Sequence, residues 1–322
     1  MEHQEIDTPI LLAPRFTPPS RTPWGGHRIR RLKGLPAGDV VGESWELSIE
    51  PDFPSRLEDG RALRDLCPDT PLLVKLLDAV EPLSVQIHPS DDDPTLGPDE
   101  GGKPECWYVI DGAPGAGLYI GLAEGVDEAA LRRALEGGED VSRMLPFVPV
   151  EPGDFFVIEA GTPHCVGAGV FLLEPQRVEP GRRGLTYRFW DWNRTYDAEG
   201  HPDPMGAQRA LHVEAALHVT RWDLPRGDRL LARIRVRAGR PALAAPAQIE
   251  TLWATPPVRV MRVSGTGEVA IAPEDGLRGL TVLEGTVALG PLVVPAGRTA
   301  AIPPRWAGPA HAERAHGIVS AA

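Results

Sequence analysis

Short runs of alternating apolar and polar residues, broken every few positions by glycine or proline, dominate the chain. Alternation with period two marks a strand whose two faces meet different surroundings. Gly42-Glu43-Ser44-Trp45-Glu46-Leu47-Ser48-Ile49 sets Trp45, Leu47 and Ile49 against Glu46 and Ser48, and predicts an ordinary half-buried strand. Leu83-Ser84-Val85-Gln86-Ile87-His88-Pro89 sets Val85 and Ile87 against Ser84, Gln86 and His88. Further strands are predicted over residues 105–111, 155–159 and 170–174, and residues 186–194 are aromatic and alternating. Residues 72–79 are apolar except for Lys75 and Asp78. Helical spacing is rare. The clearest case is residues 127–138, where Asp127 can cap the first turn, Leu131 and Leu135 lie four apart, and Gly137-Gly138 stops the helix. Shorter helices are predicted within 60–66 and 211–219. Residues 8–25, rich in proline, predict an ordered loop anchored by Trp24. Residues 89–102, rich in Asp, Gly and Pro, predict a surface loop able to act as a lid.

Beyond about residue 225 the character changes: an Ala/Pro-rich stretch at 238–248 leads into what read as short strands. A domain boundary near 222–228 follows, giving domains 1–225 and 226–322. An internal echo suggests two copies of one architecture. Tyr108-Val109-Ile110-Asp111-Gly112 resembles Thr281-Val282-Leu283-Glu284-Gly285, and Pro152-Gly153-Asp154-Phe155 resembles Ala296-Gly297-Arg298-Thr299. The first copy is longer between these marks, so the helix there reads as an insertion at about 125–138. In this register Glu105 falls opposite Arg278 and His164 opposite Gly308. The expected fold is mainly all-β: two cupin-type jelly-roll barrels with a few short helices, the second barrel metal-free.

Composition narrows the functional classes. The 322 residues allow two domains, and 35 Gly with 35 Pro favour turns and strands over long helices. A net charge of −12 makes nucleic acid and anionic membranes poor partners, although a local basic cluster still admits a small anionic substrate. Three cysteines without a CxxC argue for a reducing compartment. Met1-Glu2-His3-Gln4-Glu5 is acidic and no run of 18 apolar residues occurs, so a cytoplasmic protein without signal peptide or anchor is expected.

The candidate chemistry lies in the first half. Gln86 and His88 are two apart on a strand and share a face. Lys103-Pro104-Glu105-Cys106-Trp107 and Gly161-Thr162-Pro163-His164 offer a carboxylate and a second imidazole that a barrel interior could bring to them. Two imidazoles, a carboxylate and a neutral oxygen suit Zn²⁺ with an open position, and equally an Fe²⁺ facial triad. Taken singly each residue is unremarkable, and the remaining seven histidines, His3 among them, have no such setting. The bland alternative is a barrel that is simply polar inside. Cys106 and Cys165 neighbour candidate ligands and so point away from them, as packing residues.

Several runs together are more specific. Residues 72–79 followed by Leu83-Ser84-Val85-Gln86-Ile87-His88-Pro89 resemble type I mannose-6-phosphate isomerases in their shorter bacterial form. So do Gly102-Lys103-Pro104-Glu105-Cys106-Trp107-Tyr108, Pro152-Gly153-Asp154-Phe155, Trp24-Gly25-Gly26, Gly42-Glu43-Ser44-Trp45-Glu46, Gly161-Thr162-Pro163-His164 and Thr186-Tyr187-Arg188. The matches run in order across residues 14–220. The resemblance implies a zinc enzyme interconverting mannose 6-phosphate and fructose 6-phosphate. It implies one Zn²⁺ per chain held by His88, Glu105, His164 and Gln86, with Arg188, Lys103 and Glu174 at catalytic positions.

Chemistry gives these residues tasks. Aldose–ketose isomerisation moves a proton between C1 and C2 through a cis-enediol, and needs a proton carrier and an electrophile. Glu174 lies in an apolar strand whose burial would raise its pKa, and is nominated as the base; a structural carboxylate paired with arginine is the alternative. Arg188 would hold enediolate or phosphate charge, unless it merely stacks among Tyr187, Phe189 and Trp190. Lys103 and Ser84 could reach the phosphate or a sugar hydroxyl, with a solvated loop lysine as the plain reading of Lys103. One departure stands out. The short family carries Glu-x-Gln-Gln and then Ser-Asp before Thr-Tyr-Arg. Here residues 174–188 lack the Ser-Asp pair and bring in Arg177, Arg182 and Arg183. The substrate could therefore be another phosphorylated or free aldose. A non-catalytic sugar-phosphate-binding cupin and an iron-dependent cupin oxygenase complete the alternatives, the Gln86-x-His88 spacing weighing against the last.

Overall fold

The computed structural model describes residues 6–322, so the acidic N-terminal stretch and His3 lie outside the described residues. The alternation is realised as two facing sheets in the first barrel. The seven-stranded sheet runs Arg235–Arg237, Asp154–Ile158, Glu105–Gly112, Val170–Arg177, Leu72–Asp78, Glu43–Leu47, Arg15–Phe16. The five-stranded sheet runs Phe147–Pro149, Gly117–Ile120, His164–Val166, Val85–Ile87, Tyr187–Trp190. One apolar core spans the barrel interior and the back of the five-stranded sheet, and includes Trp107, Ile120, Phe156 and Leu172 together with Val85 and Ile87. The fold is mainly β and cupin-like.

The seven-stranded sheet is covered on its other face too. There Leu76, Tyr108, Phe155 and Leu173 join Leu12, Val260 and Ile318 in a second core against the C-terminal sheet. Double burial explains why all seven residues of Leu72–Asp78 are buried. It also corrects the half-buried reading of the strand at 42–49. In Glu43–Leu47, Ser44 and Glu46 are as buried as Trp45 and Leu47. The Glu46 carboxylate accepts from Ser44 Oγ at 2.5 Å and Thr299 Oγ1 at 2.9 Å, and pairs with Lys33 Nζ at 2.8 Å. A charge placed there is tolerated because it is fully partnered.

The C-terminal barrel is built on an eight-stranded sheet. Three of its strands are longer than expected: Arg259–Val269, Arg278–Leu289 and Ala310–Ala321 run 11, 12 and 12 residues and bend at register shifts such as that between Gly265 and Gly267, while strands such as Leu292–Pro295 and Thr299–Ile302 are short as expected. Ile10–Ala13 pairs with Thr299–Ile302 in this sheet, so part of the proline-rich stretch expected as loop is strand. Trp24 is buried, as an anchor should be. The internal echo is real at the level of register. Tyr108 pairs with Phe155 and Glu105 with Ile158 in the first barrel; Thr281 pairs with Thr299 and Arg278 with Ile302 in the second.

Helices are few. Glu128–Glu136 forms between two strands of the first barrel, with the Asp127 side chain accepting the Ala130 N–H at 2.7 Å. Leu63–Leu66 and Val213–Val219 fall within their predicted ranges, and Gly227–Ile234 adds one the periodicity did not single out. Among the described residues no helix is long and apolar enough to cross a membrane.

Candidate metal centre

Glu105 opens the Glu105–Gly112 strand and shares the inner face with Trp107, while Cys106 turns into the core between the barrels. His164 opens His164–Val166 after the turn at 161–163. Gly161 takes φ +75°, and a side chain there would meet the Val219 carbonyl at 2.8 Å. Its N–H donates to the His88 carbonyl at 2.9 Å, tying the turn to the neighbouring strand end. Across the five-stranded sheet His164 lies directly opposite Gln86, and Gln86 opposite Arg188. Directly paired residues share a face about 5 Å apart, so Arg188, Gln86 and His164 form one row.

The ligand atoms of His88, Glu105 and His164 lie within 4.8 Å of one another, all three residues buried. His88 Nε2 is 3.3 Å from Glu105 Oε2 and His164 Nε2 is 3.3 Å from Oε1. The ring orientations follow from the other nitrogens. His88 Nδ1 sits 2.8 Å from the Leu185 carbonyl and His164 Nδ1 2.8 Å from the Thr162 carbonyl. A carbonyl only accepts, so each Nδ1 carries the proton and each Nε2 turns a lone pair toward the carboxylate. His88 Nε2, His164 Nε2 and Glu105 Oε1 are accordingly buried without a hydrogen-bond partner. Buried acceptors facing one another are costly, and a shared cation satisfies all three.

Electrostatics agree with that protonation. Burial, then the Lys103 charge, lowers the pKa of His88, and burial takes His164 down to about 3. Burial pushes Glu105 upward, but Lys103 and then His88 outweigh it and hold its carboxyl well below the usual range. Neutral imidazoles around an ionised carboxylate are the state metal binding requires. Cys106 and Cys165 are buried thiols, with pKa values raised chiefly by burial.

Lys103 is not a solvated loop lysine. It is buried, its ammonium lies 3.0 Å from Glu105 Oε2, and its stem packs where a side chain at Gly184 would come within 3.2 Å. Burial works against its charge, but Glu105 and Glu174 leave its pKa raised. Glu174 is buried and accepts from Trp107 Nε1 at 3.0 Å, with no arginine on it. Burial, reinforced by the Glu105 charge, pushes its carboxyl up to about 8. Arg188 is half-buried and donates to the Ala210 carbonyl at 3.0 Å rather than to the triad; its Nε has no partner. Ser84 is buried just before the Val85–Ile87 strand.

The altered loop proves to be a support for His88. Leu185 supplies the carbonyl that holds Nδ1, and Arg183–Gly184 pairs in parallel with Glu100–Gly101 at the end of the 89–102 loop. Arg183 lies 2.6 Å from Glu100, and Arg177 2.8 Å from Asp91. A backbone carbonyl is available whatever the side chain, so loss of the Ser-Asp pair leaves this contact intact. Sequence reasoning missed these carbonyls and also Gln176, whose Nε2 donates to Glu105 Oε2 at 2.9 Å. In the second barrel Arg278, the counterpart of Glu105, is fully buried and donates to the carbonyls of Pro303 and Trp306, both at 3.0 Å. Among the described residues no second cluster of His, Cys, Asp and Glu is arranged to hold a metal.

No protein-family model matches the sequence. A mannose-6-phosphate isomerase of Streptococcus mutans is 33% identical over 242 residues, covering 70% of this chain and 67% of its own. A mannose-6-phosphate isomerase of Bacillus subtilis is 39% identical over 213 residues, covering 61% and 64%. The crystal structure of the mannose 6-phosphate isomerase from Bacillus subtilis superposes with a TM-score of 0.76 at 25% identity, covering 98% of this chain and 100% of that one. A crystal structure of a mannose 6-phosphate isomerase bound with zinc and yttrium shares the fold, with a TM-score of 0.68 at 14% identity over 98% and 99% of the two chains.

Proposed function

Since the chain belongs to the mannose-6-phosphate isomerase family, and is thus an aldose–ketose isomerase, we propose that it interconverts mannose 6-phosphate and fructose 6-phosphate by proton transfer through a cis-enediol at a centre holding one Zn²⁺. The observation that carries this reading is the set of three buried acceptors, His88 Nε2, His164 Nε2 and Glu105 Oε1, that face one another without a proton between them. Gln86, in register with His164, completes the ligand set. Zinc is preferred to iron because a neighbour of the same fold carries zinc and because a neutral amide suits an open zinc site. When bound, zinc supplies Lewis acidity at the sugar carbonyl or its neighbouring hydroxyl.

The chain's own residues divide the remaining work. Glu174, whose carboxyl burial and the Glu105 charge push up to about 8 in the metal-free protein, is a buried acid that can carry a proton, which suits a group that takes a proton from one carbon and returns it to the next. Lys103 keeps its ammonium in a buried setting, where it offsets negative charge developing on a substrate oxygen. Arg188, in the same row as Gln86 and His164, offers a guanidinium for phosphate or enediolate charge, and Ser84 a hydroxyl for the sugar. Residues 1–225 carry this chemistry. Residues 226–322 supply most of a second, metal-free cupin barrel, with Arg278 in the place of the carboxylate. The buried thiols of Cys106 and Cys165 fit work in the cytoplasm.

His164→Ala and His88→Ala test the site. Each is expected to lose metal and isomerase turnover together, measured by metal analysis and by conversion of mannose 6-phosphate. Full zinc and full turnover in His164→Ala would show that the centre is elsewhere. Metal retained by the wild type with turnover only on another aldose would move the substrate assignment and keep the site.

A further inference from the structure

Gln176 lies directly opposite Glu105 where the Val170–Arg177 and Glu105–Gly112 strands pair. It is fully buried, on a strand whose other residues up to Gln176 are buried as well. Its Nε2 donates to Glu105 Oε2 at 2.9 Å, and the Lys103 ammonium reaches the same oxygen at 3.0 Å. Two donors therefore occupy Oε2, while Oε1 is buried with none. The carbonyl oxygen of Gln176 is itself buried without a partner. An amide half satisfied in an apolar interior is a cost to folding. The one bond it makes is to the carboxylate of the candidate metal centre.

We propose that Gln176 is a positioning residue of the metal centre: together with Lys103 it saturates Glu105 Oε2, so that Glu105 meets the metal through Oε1 alone. This rests on the metal reading given above. A carboxylate free to rotate would alternate between one-oxygen and two-oxygen binding and blur the geometry at the open position. The amide removes that freedom, and does so from the strand next to Glu105 in the ladder. Lys103 alone cannot supply the same restraint, because its ammonium ends a flexible stem whereas the amide is planar and fixed by the sheet.

The test uses Gln176→Leu, which keeps the volume and removes the donor, and Gln176→Met, a flexible apolar side chain of similar length that settles the matter should the leucine variant fold poorly. Three quantities are compared with the full-length wild type: zinc affinity by competition with a chelator of known strength, the visible spectrum of the Co²⁺-substituted protein, and the thermal midpoint of the metal-free protein. The expected result is a roughly 10–100-fold loss of zinc affinity and an altered Co²⁺ spectrum, with the metal-free midpoint within a few degrees of wild type. Wild-type zinc affinity and an unchanged Co²⁺ spectrum in the variants would overturn the positioning role while leaving the metal centre standing, and so would a lowered midpoint as the sole effect. Failure of the wild type itself to take up zinc or Co²⁺ would overturn the metal reading and this inference with it.

Discussion

Replacing Glu174 with glutamine keeps the side-chain shape and an acceptor for the Trp107 indole, now 3.0 Å away, and removes the ionisable proton. In the metal-free protein that carboxyl is pushed up from 4.5 to about 8, first by burial and then by the charge of Glu105, against the pull of Lys103 and Lys75. In the unfolded chain it titrates near its ordinary value. Between those two values the native state keeps a proton that the unfolded chain has lost. The resulting stability is fully present below the unfolded pKa and is lost as pH rises through the folded one. At about 1.4 kcal/mol per pKa unit, the whole window carries on the order of 5 kcal/mol as an upper figure. The assay is urea unfolding of chelator-treated wild type and Glu174→Gln across about pH 5 to pH 9. The variant should gain on the wild type by several kcal/mol over that range, and the difference should level off above about pH 9. A difference that does not change with pH would refute the claim that Glu174 is a buried, neutral acid at pH 7.

Arg188→Ala should keep its zinc and lose turnover by about 10²-fold or more, as expected for a group that meets developing charge; normal turnover would remove Arg188 from the mechanism. Gly184→Ala sets a methyl group 3.2 Å from both Lys103 Cγ and Val178 Cγ2. Displacement of Lys103 should lower kcat several-fold at full zinc content, with a stability cost of about 1 kcal/mol, read from paired kinetics and unfolding curves. Tyr108→Phe removes the hydroxyl that meets His316 Nε2 at 2.8 Å in the core between the barrels. It should cost about 1–2 kcal/mol in urea unfolding and leave kcat unchanged.

What could be read from the residues alone depended on local signals. Asp127 with Leu131, Leu135 and Gly137 placed a helix because capping and spacing are local. The echo between 108–112 and 281–285 carried its register correctly because the same strand pair recurs in both barrels. Gln86, His88, Glu105 and His164 were expected to converge; the ligand atoms of His88, Glu105 and His164 do so, and Gln86 is in register with His164. The misses are non-local. Glu46 looked solvent-facing because nothing in its own strand reveals that a second barrel covers it. Ile10–Ala13 looked like loop because its partner strand begins at Thr299. The carbonyls of Thr162 and Leu185 orient both imidazoles, yet every residue has a carbonyl and none advertises this use. Gln176 stands at the first Gln of the Glu-x-Gln-Gln run, but its bond to Glu105 comes from a cross-strand register that the run does not display. Within the departure at 175–186, read as a possible change in the pocket, the Leu185 carbonyl meets His88 and the Gln176 amide meets Glu105.

The central claim is that this centre, loaded with zinc, isomerises mannose 6-phosphate. The most direct measurement is fructose 6-phosphate formation by purified full-length protein, before chelation, after chelation, and after zinc is returned. Turnover that disappears on chelation and returns with stoichiometric zinc is the predicted result. Undiminished turnover in protein shown to be free of metal, or no turnover in protein shown to hold zinc, would contradict it.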